Sequence, residues 1–178
     1  FKNTRNIVGG TVLRKNVWYH LAGTYDGRNL RTFVNGKLDR STKYEGWMNN
    51  TKFPIRIGQT ADGKTETYSG EIDEVRVWNY ARTEAEIKSS MNLALTGQEK
   101  GLVGYWNFDD GSARDVTGNG NHGELIGDAK IIDLVIPDPK LRVVLQNELG
   151  IKPGNTITKK DLAKITKISA RNSKITDI

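Results

Sequence analysis

Three acidic residues within four positions, Glu71, Asp73 and Glu74, are the residues of this chain best placed to do chemistry. Paired carboxylates can do general acid/base and nucleophilic work, of which glycoside hydrolysis is one case. A retaining mechanism needs one carboxylate as nucleophile and a second as acid/base, about 5–5.5 Å apart. On a strand, Glu71 and Asp73 fall on one face together with Val75 and Val77, while Ile72, Glu74, Arg76 and Trp78 fall on the other. A regular strand therefore turns Glu74 away from the other two acids. Only a bulge would re-aim it, and nothing in the sequence signals one.

A second cluster is rich in oxygen. Asp109, Asp110, Asp115, Asn119 and Asn121 lie in a short glycine-rich segment. Calcium takes about six to eight oxygens from carboxylates, amides and backbone carbonyls on flexible loops, so these five are candidate calcium ligands. The same Asn-Gly pairs also make ordinary turns.

A third candidate is aromatic. Trp47 lies in the loop-like run Gly46-Trp47-Met48-Asn49-Asn50, and with Asn49 and Asn50 it could stack on and hydrogen-bond a sugar. Trp18, Trp78 and Trp106 fall in strand patterns and are expected in the core. His20 and His122 have neither Cys nor Asp/His neighbours at the spacing of a zinc site or a catalytic triad. No glycine-rich phosphate loop is present.

The elements that must position these residues read as β-strands. Strand patterns run over 17–25, 30–34, from 37, over 55–58, 68–78 and 102–108. Leu125-Ile126 and Ile131-Ile132 could close a sheet. Asp26-Gly27-Arg28-Asn29 is a turn, and Asn35-Gly36 is a strong two-residue hairpin signal. Thr83 with Glu86 spells a capping box, so a short helix should begin there and cover one end of the sheets. With 19 glycines and no Cys in 178 residues, this is the profile of an all-β sandwich without disulfides.

The character changes near Ile136. Asp138 suits a helix cap and Pro139 its first position. Leu141, Val144, Leu145 and Leu149 recur at helical spacing, and Gly150 fits the position after the end. A second short helix starts near Thr158 and Asp161. Ile165, Ile168, Ala170, Ile175 and Ile178 then have the spacing of a leucine-rich repeat. From Pro137 onward there are nine Lys/Arg against four Asp/Glu, leaving 18 against 17 in the first 136 residues. This basic tail contains no aromatic residue, so it reads as a solvated lysine-rich face and not as a nucleic-acid surface. No stretch has the apolar length of a membrane span.

Several of these pieces together carry a family resemblance. They are Trp18 to Gly27, Phe33-Val34-Asn35-Gly36-Lys37-Leu38, Gly70 to Asn79, Gly101 to Asp109 and Gly118-Asn119-Gly120-Asn121. As an ordered set they resemble the LamG-like jellyroll domains of the concanavalin A-like lectin/glucanase superfamily, to which pentraxins also belong. The resemblance implies two antiparallel sheets packed face to face. It also implies further strands ahead of Trp18, so part of the sandwich is expected to be lacking here. Phe1 is not a natural start, and any signal peptide would lie outside this sequence.

Laminarinase-type hydrolases of the superfamily carry Glu-x-Asp-x-Glu or Glu-x-Asp-x-x-Glu on a strand. Here the third acid is replaced by Val75 or Arg76, which argues against catalysis. Calcium at rim loops is common among LamG-like and pentraxin domains. The tail from Ile136 is similar to the helical N-terminal cap of bacterial internalin-type leucine-rich repeat proteins, except that Ser173 stands where a repeat has Asn.

The expectation is thus a mainly β chain: an antiparallel jellyroll β-sandwich over 1–133, N-terminally incomplete, followed by a small α-helical leucine-rich-repeat cap and first partial repeat over 134–178. Its expected role is that of a non-catalytic recognition or adhesion module. It would belong to a secreted or surface-attached bacterial protein and bind a glycan or protein ligand. The alternatives are a structural spacer, and an accessory domain of a carbohydrate-active enzyme whose catalytic residues lie elsewhere.

Overall fold

The computed structural model describes residues 8–46, 53–60, 62–64, 66–132, 139–153, 157, 159–162 and 165. They form five strands and three helices. The strands are β1 (Leu21–Tyr25), β2 (Asn29–Val34), β3 (Lys37–Lys43), β4 (Val75–Trp78) and β5 (Leu102–Trp106); the helices are α1 (Glu84–Ser90), α2 (Pro139–Leu149) and α3 (Lys159–Leu162). The fold is mainly β. The chain falls into two compact units, Phe1–Tyr105 with Val116–Asn119, and Trp106–Asp115 with Gly120–Ile178. The expected boundary between residues 133 and 134 lies outside the described residues.

In the first unit, β1, β2 and β3 form an antiparallel meander. Asp26 shapes the first turn, accepting from the backbone N–H groups of Arg28 and Asn29 and from the Arg31 side chain. Asn35 and Gly36 shape the second, with φ of 49° and 73°, as a two-residue hairpin demands. The ladder slips between Thr32 and Phe33: Thr32 faces Arg40 while Phe33 faces Leu38, so Asp39 is the extra residue of a bulge. Its carboxylate accepts from Gly10 N–H, Thr11 N–H and the Thr11 hydroxyl, which fastens the segment ahead of β1 onto β3.

The second sheet pairs β4 with β5. Helix α1 begins as expected. The Thr83 hydroxyl accepts from Glu86 N–H at 3.3 Å, and the Glu86 carboxylate accepts from Thr83 N–H at 2.7 Å. The helix end packs on the β2–β3 turn. A Cβ on Gly36 would stand 3.0 Å from Met91 Sδ and 3.1 Å from Lys88 Cα, so only glycine fits under it. Phe33, Ile87, Leu102 and Tyr105 are the buried core side chains of this unit.

The second unit holds α2, which spans the expected residues. Gly150 follows it at φ 65°, with Ile151 N–H donating to Gln146 O and Gly150 N–H to Asn147 O, the Schellman arrangement. Leu145 and Ile157 are buried, with Leu141, Leu149, Ile151, Leu162 and Ile165 packed against them. Val144, expected in this core, is half-buried. Residues 166–178, where the leucine-rich repeat pattern was expected to continue, lie outside the described residues. Among the described residues no helix is long and apolar enough to cross a membrane.

Six strand expectations shrink or fail, 102–108 among them, since β5 ends at Trp106. Residues 17–20 precede β1 without joining it, 55–58 form no strand, and only Val75–Trp78 of 68–78 is paired. Neither Leu125-Ile126 nor Ile131-Ile132 pairs. A strand is defined by a partner's backbone, and single-strand patterning carries no information about whether that partner is present.

Candidate functional site

The acidic run departs from regular strand geometry at one residue. Glu74 has φ 56°, in the left-handed region that a non-glycine residue enters only at a cost of about 1–3 kcal/mol. The expected alternation through residue 74 is therefore broken, and β4 starts only at Val75. The kink delivers the Glu74 carboxylate to two partners. The Tyr105 hydroxyl, on a fully buried side chain, lies 2.9 Å from each Glu74 oxygen. Arg76 Nη2 donates to Glu74 Oε2.

Arg76 is the hub of this network. Its side chain is 9% exposed. Besides Glu74 it serves two carbonyls, Ser90 O at 2.8 Å and Leu93 O at 2.6 Å, so it ties β4 to the end of α1 and the chain beyond. Its guanidinium also sits 5.5 Å from the Tyr105 ring centroid. Arg82 works alongside it, stacked 4.1 Å over Trp78 while donating to Ser90 Oγ and Glu86 O. Burial, and then hydrogen bonding to Glu74, push the Tyr105 hydroxyl up to about 12. His20 is half-buried, and its pKa is lowered by burial first and then by the charges of Arg76 and Arg82.

Glu74 is thus held as a structural anchor. Glu71 is exposed, and Asp73 is half-buried with interactions of its own.

The glycine-rich segment 109–121 is held by its own groups and by β5. Asp115 is buried; its N–H donates to His122 Nδ1 at 3.2 Å, and its Oδ2 accepts from Asn121 N–H at 3.0 Å. The carbonyl of Asn121 accepts from the Trp106 indole N–H at 2.9 Å. Asp110 accepts from the N–H and hydroxyl of Ser112, and Asp109 accepts from the Asn107 side-chain amide. Asn119 donates its amide to Val103 O at 3.2 Å and its N–H to Thr117 Oγ1. Of the five candidate calcium ligands, Asp115 and Asn121 are therefore in direct contact. Among the described residues no group of three or more His, Asp or Glu side chains is placed to hold a metal ion.

The expected ligand-binding residues Trp47, Asn49 and Asn50 lie outside the described residues. The other tryptophans separate in a way the sequence did not show. Trp106 is buried in β5 as expected and Trp78 is half-buried. Trp18, expected in the core, is 63% exposed ahead of β1. Phe53, Tyr68 and Tyr80 are exposed as well. The expectation failed because Trp18 lies outside the ladder that would have turned it inward. At the far end of β1, Tyr25 and Tyr44 pair with ring centroids 5.7 Å apart, and the Tyr25 hydroxyl donates to Gly46 O.

Comparison with known proteins agrees with this architecture. Residues 2–88 match the profile of a family of the concanavalin A-like lectin/glucanases superfamily. A crystal structure of a candidate carbohydrate-binding protein from Bacteroides ovatus is similar with a TM-score of 0.54 and 30% identity, covering 65% of this chain and 36% of that one. An S-layer domain-containing protein from Clostridium thermocellum aligns at 22% identity and a TM-score of 0.34, over 47% of this chain and 43% of its own. The chain thus spans less than half of either structure. No curated protein sequence matches it.

Proposed function

We propose that this chain is a non-catalytic recognition module that binds a glycan, within a secreted or surface-attached bacterial protein. The observation that carries the reading is the likeness to the Bacteroides ovatus candidate carbohydrate-binding protein, at 30% identity over 65% of this chain. The exposed Trp18 ring supports it, because sugar recognition uses accessible aromatic faces beside polar groups. The engagement of Glu74 by Tyr105 and Arg76 supports the absence of catalysis, since that carboxylate is committed to the scaffold. The segment from residue 134 we assign to the cap of an internalin-type leucine-rich repeat, on the apolar cluster around Leu145.

A glycan array probed with the full chain tests the reading. Binding to a defined glycan class, weakened by Trp18→Ala without loss of folding, is the expected result. An array with no glycan bound would favour a protein ligand or a spacer. Calcium at the glycine-rich segment 109–121 is a separate proposal. It calls for a melting temperature that rises with calcium and not with magnesium, and for loss of that rise in Asp115→Ala. A melting curve indifferent to calcium discards it.

A further inference from the structure

We infer that Asn119 is a site of spontaneous deamidation in the folded chain, and that the fold shields the other Asn-Gly pair, Asn35-Gly36, from the same reaction. The chemistry is that of the Asn-Gly sequence. The backbone nitrogen of the glycine attacks the side-chain carbonyl carbon of asparagine. A C–N bond forms, the bond to the amide nitrogen breaks, and ammonia leaves carrying the proton of the attacking N–H. Water then opens the cyclic imide at either carbonyl, giving aspartate or isoaspartate. Glycine makes the step fast because no Cβ obstructs the approach and its backbone turns freely.

The two pairs differ in what the reaction must disturb. Asn35 is locked into the β2–β3 turn. Its side-chain oxygen accepts from His20 N–H at 2.9 Å, and its own N–H donates to His20 O at 2.8 Å. Gly36 is buried beneath Lys88 and Met91. Swinging the Gly36 nitrogen onto the Asn35 side chain would open the hairpin and lift the end of α1. Asn119 and Gly120 are both exposed, and the space around Gly120 is empty for 4 Å where a Cβ would point. Cyclisation there breaks one side-chain hydrogen bond, from Asn119 to Val103 O. The nearby Asn121 is held at both its N–H, by Asp115, and its carbonyl, by Trp106, and it is followed by His122 and not by glycine.

The product changes the loop. The amide that donates to Val103 O is replaced by a carboxylate, which presents a negative charge to that carbonyl and cannot donate to it. The loop thereby loses its side-chain tie to β5.

The test is incubation of the full folded chain in mildly alkaline buffer, followed by tryptic digestion and fragment-resolved mass spectrometry. A parallel sample is kept in denaturant. The folded chain should gain the mass of NH2 replaced by OH at Asn119 while the Asn35 peptide stays intact. The denatured chain should convert both, because protection of Asn35 comes from structure that opens only by local unfolding. Asn119→Gln should abolish the gain at that position and leave Asn35 unchanged. Conversion of Asn35 at the same rate as Asn119 in the folded chain would overturn the inference. So would placement of the gain at Asn121, or an Asn119 that stays intact when folded yet converts when denatured.

Discussion

The Tyr105 hydroxyl stands 2.9 Å from both carboxylate oxygens of Glu74, thirty-one positions away in sequence. Arg76 reaches the same carboxylate, so a left-handed residue, a buried phenol and a buried cation hold one another in place. Removing Arg76 leaves a part-exposed Glu74 carboxylate and two backbone carbonyls without their donor. Arg76→Ala should cost about 1.5–3 kcal/mol in denaturant unfolding. Tyr105→Phe, which removes the hydrogen bond to that charged acceptor and the hydroxyl that accepts from Leu95 N–H, should cost about 1.5–3 kcal/mol. The double variant should lose less than the sum of the two, because both act on Glu74. Full additivity would mean that the three residues do not form one network.

The alkaline limb of stability reports the same network. The Tyr105 pKa is raised by burial and by Glu74, from about 10 when unfolded to about 12 when folded. Its contribution to stability is present below pH ~10 and is lost as pH rises towards ~12. Ultraviolet titration of the folded chain should show one of the six tyrosines ionising late, and Tyr105→Phe should remove that late step. Six tyrosines ionising together would refute the assignment.

On the acid side the sign is opposite. The pKa of His20 is lowered by burial and by Arg76 and Arg82, so the unfolded chain takes up its proton first. Stability from this group is complete above the ordinary histidine range, about 6.5, and is lost as pH falls through the lower folded value. His20→Gln should flatten the melting-temperature profile across that window. An unchanged slope there would refute the assignment, because the carboxylates Asp26 and Asp39, whose folded pKa values are also lowered, act only below the ordinary carboxylate range of about 3.9.

Gly36 carries a purely steric prediction. With φ 73° and Lys88 and Met91 so close, Gly36→Ala should destabilise by about 1–3 kcal/mol. The effect should be smaller in a Met91→Ala background, because part of the clash is with Met91 Sδ. Equal costs in both backgrounds would remove Met91 as a cause and leave the Lys88 contact and the backbone conformation.

The features legible in the sequence were those set by a few neighbouring residues. Asn35-Gly36 specifies its own turn, Thr83 with Glu86 specifies its own cap, and Gly150 marks the end of α2 through its positive φ. What stayed hidden depends on distant partners. Nothing in Gly70-Glu71-Ile72-Asp73-Glu74 announces a left-handed glutamate, because the stabilising groups sit at Arg76 and Tyr105 and only the folded chain brings them together. Trp18 misled for a related reason. A tryptophan beside a β-branched residue reads as a core strand, yet the ladder begins at Leu21, three residues later.

The central claim, recognition without catalysis, is tested most directly by one measurement on the full chain. Soluble β-glucans and the glycan identified on the array are incubated with the protein, and binding and release of reducing ends are followed in the same sample. The account predicts binding that Trp18→Ala weakens, with no reducing ends released by the wild-type chain or by Glu71→Gln. Release of reducing ends that Glu71→Gln abolishes, with the variant still folded, would contradict it.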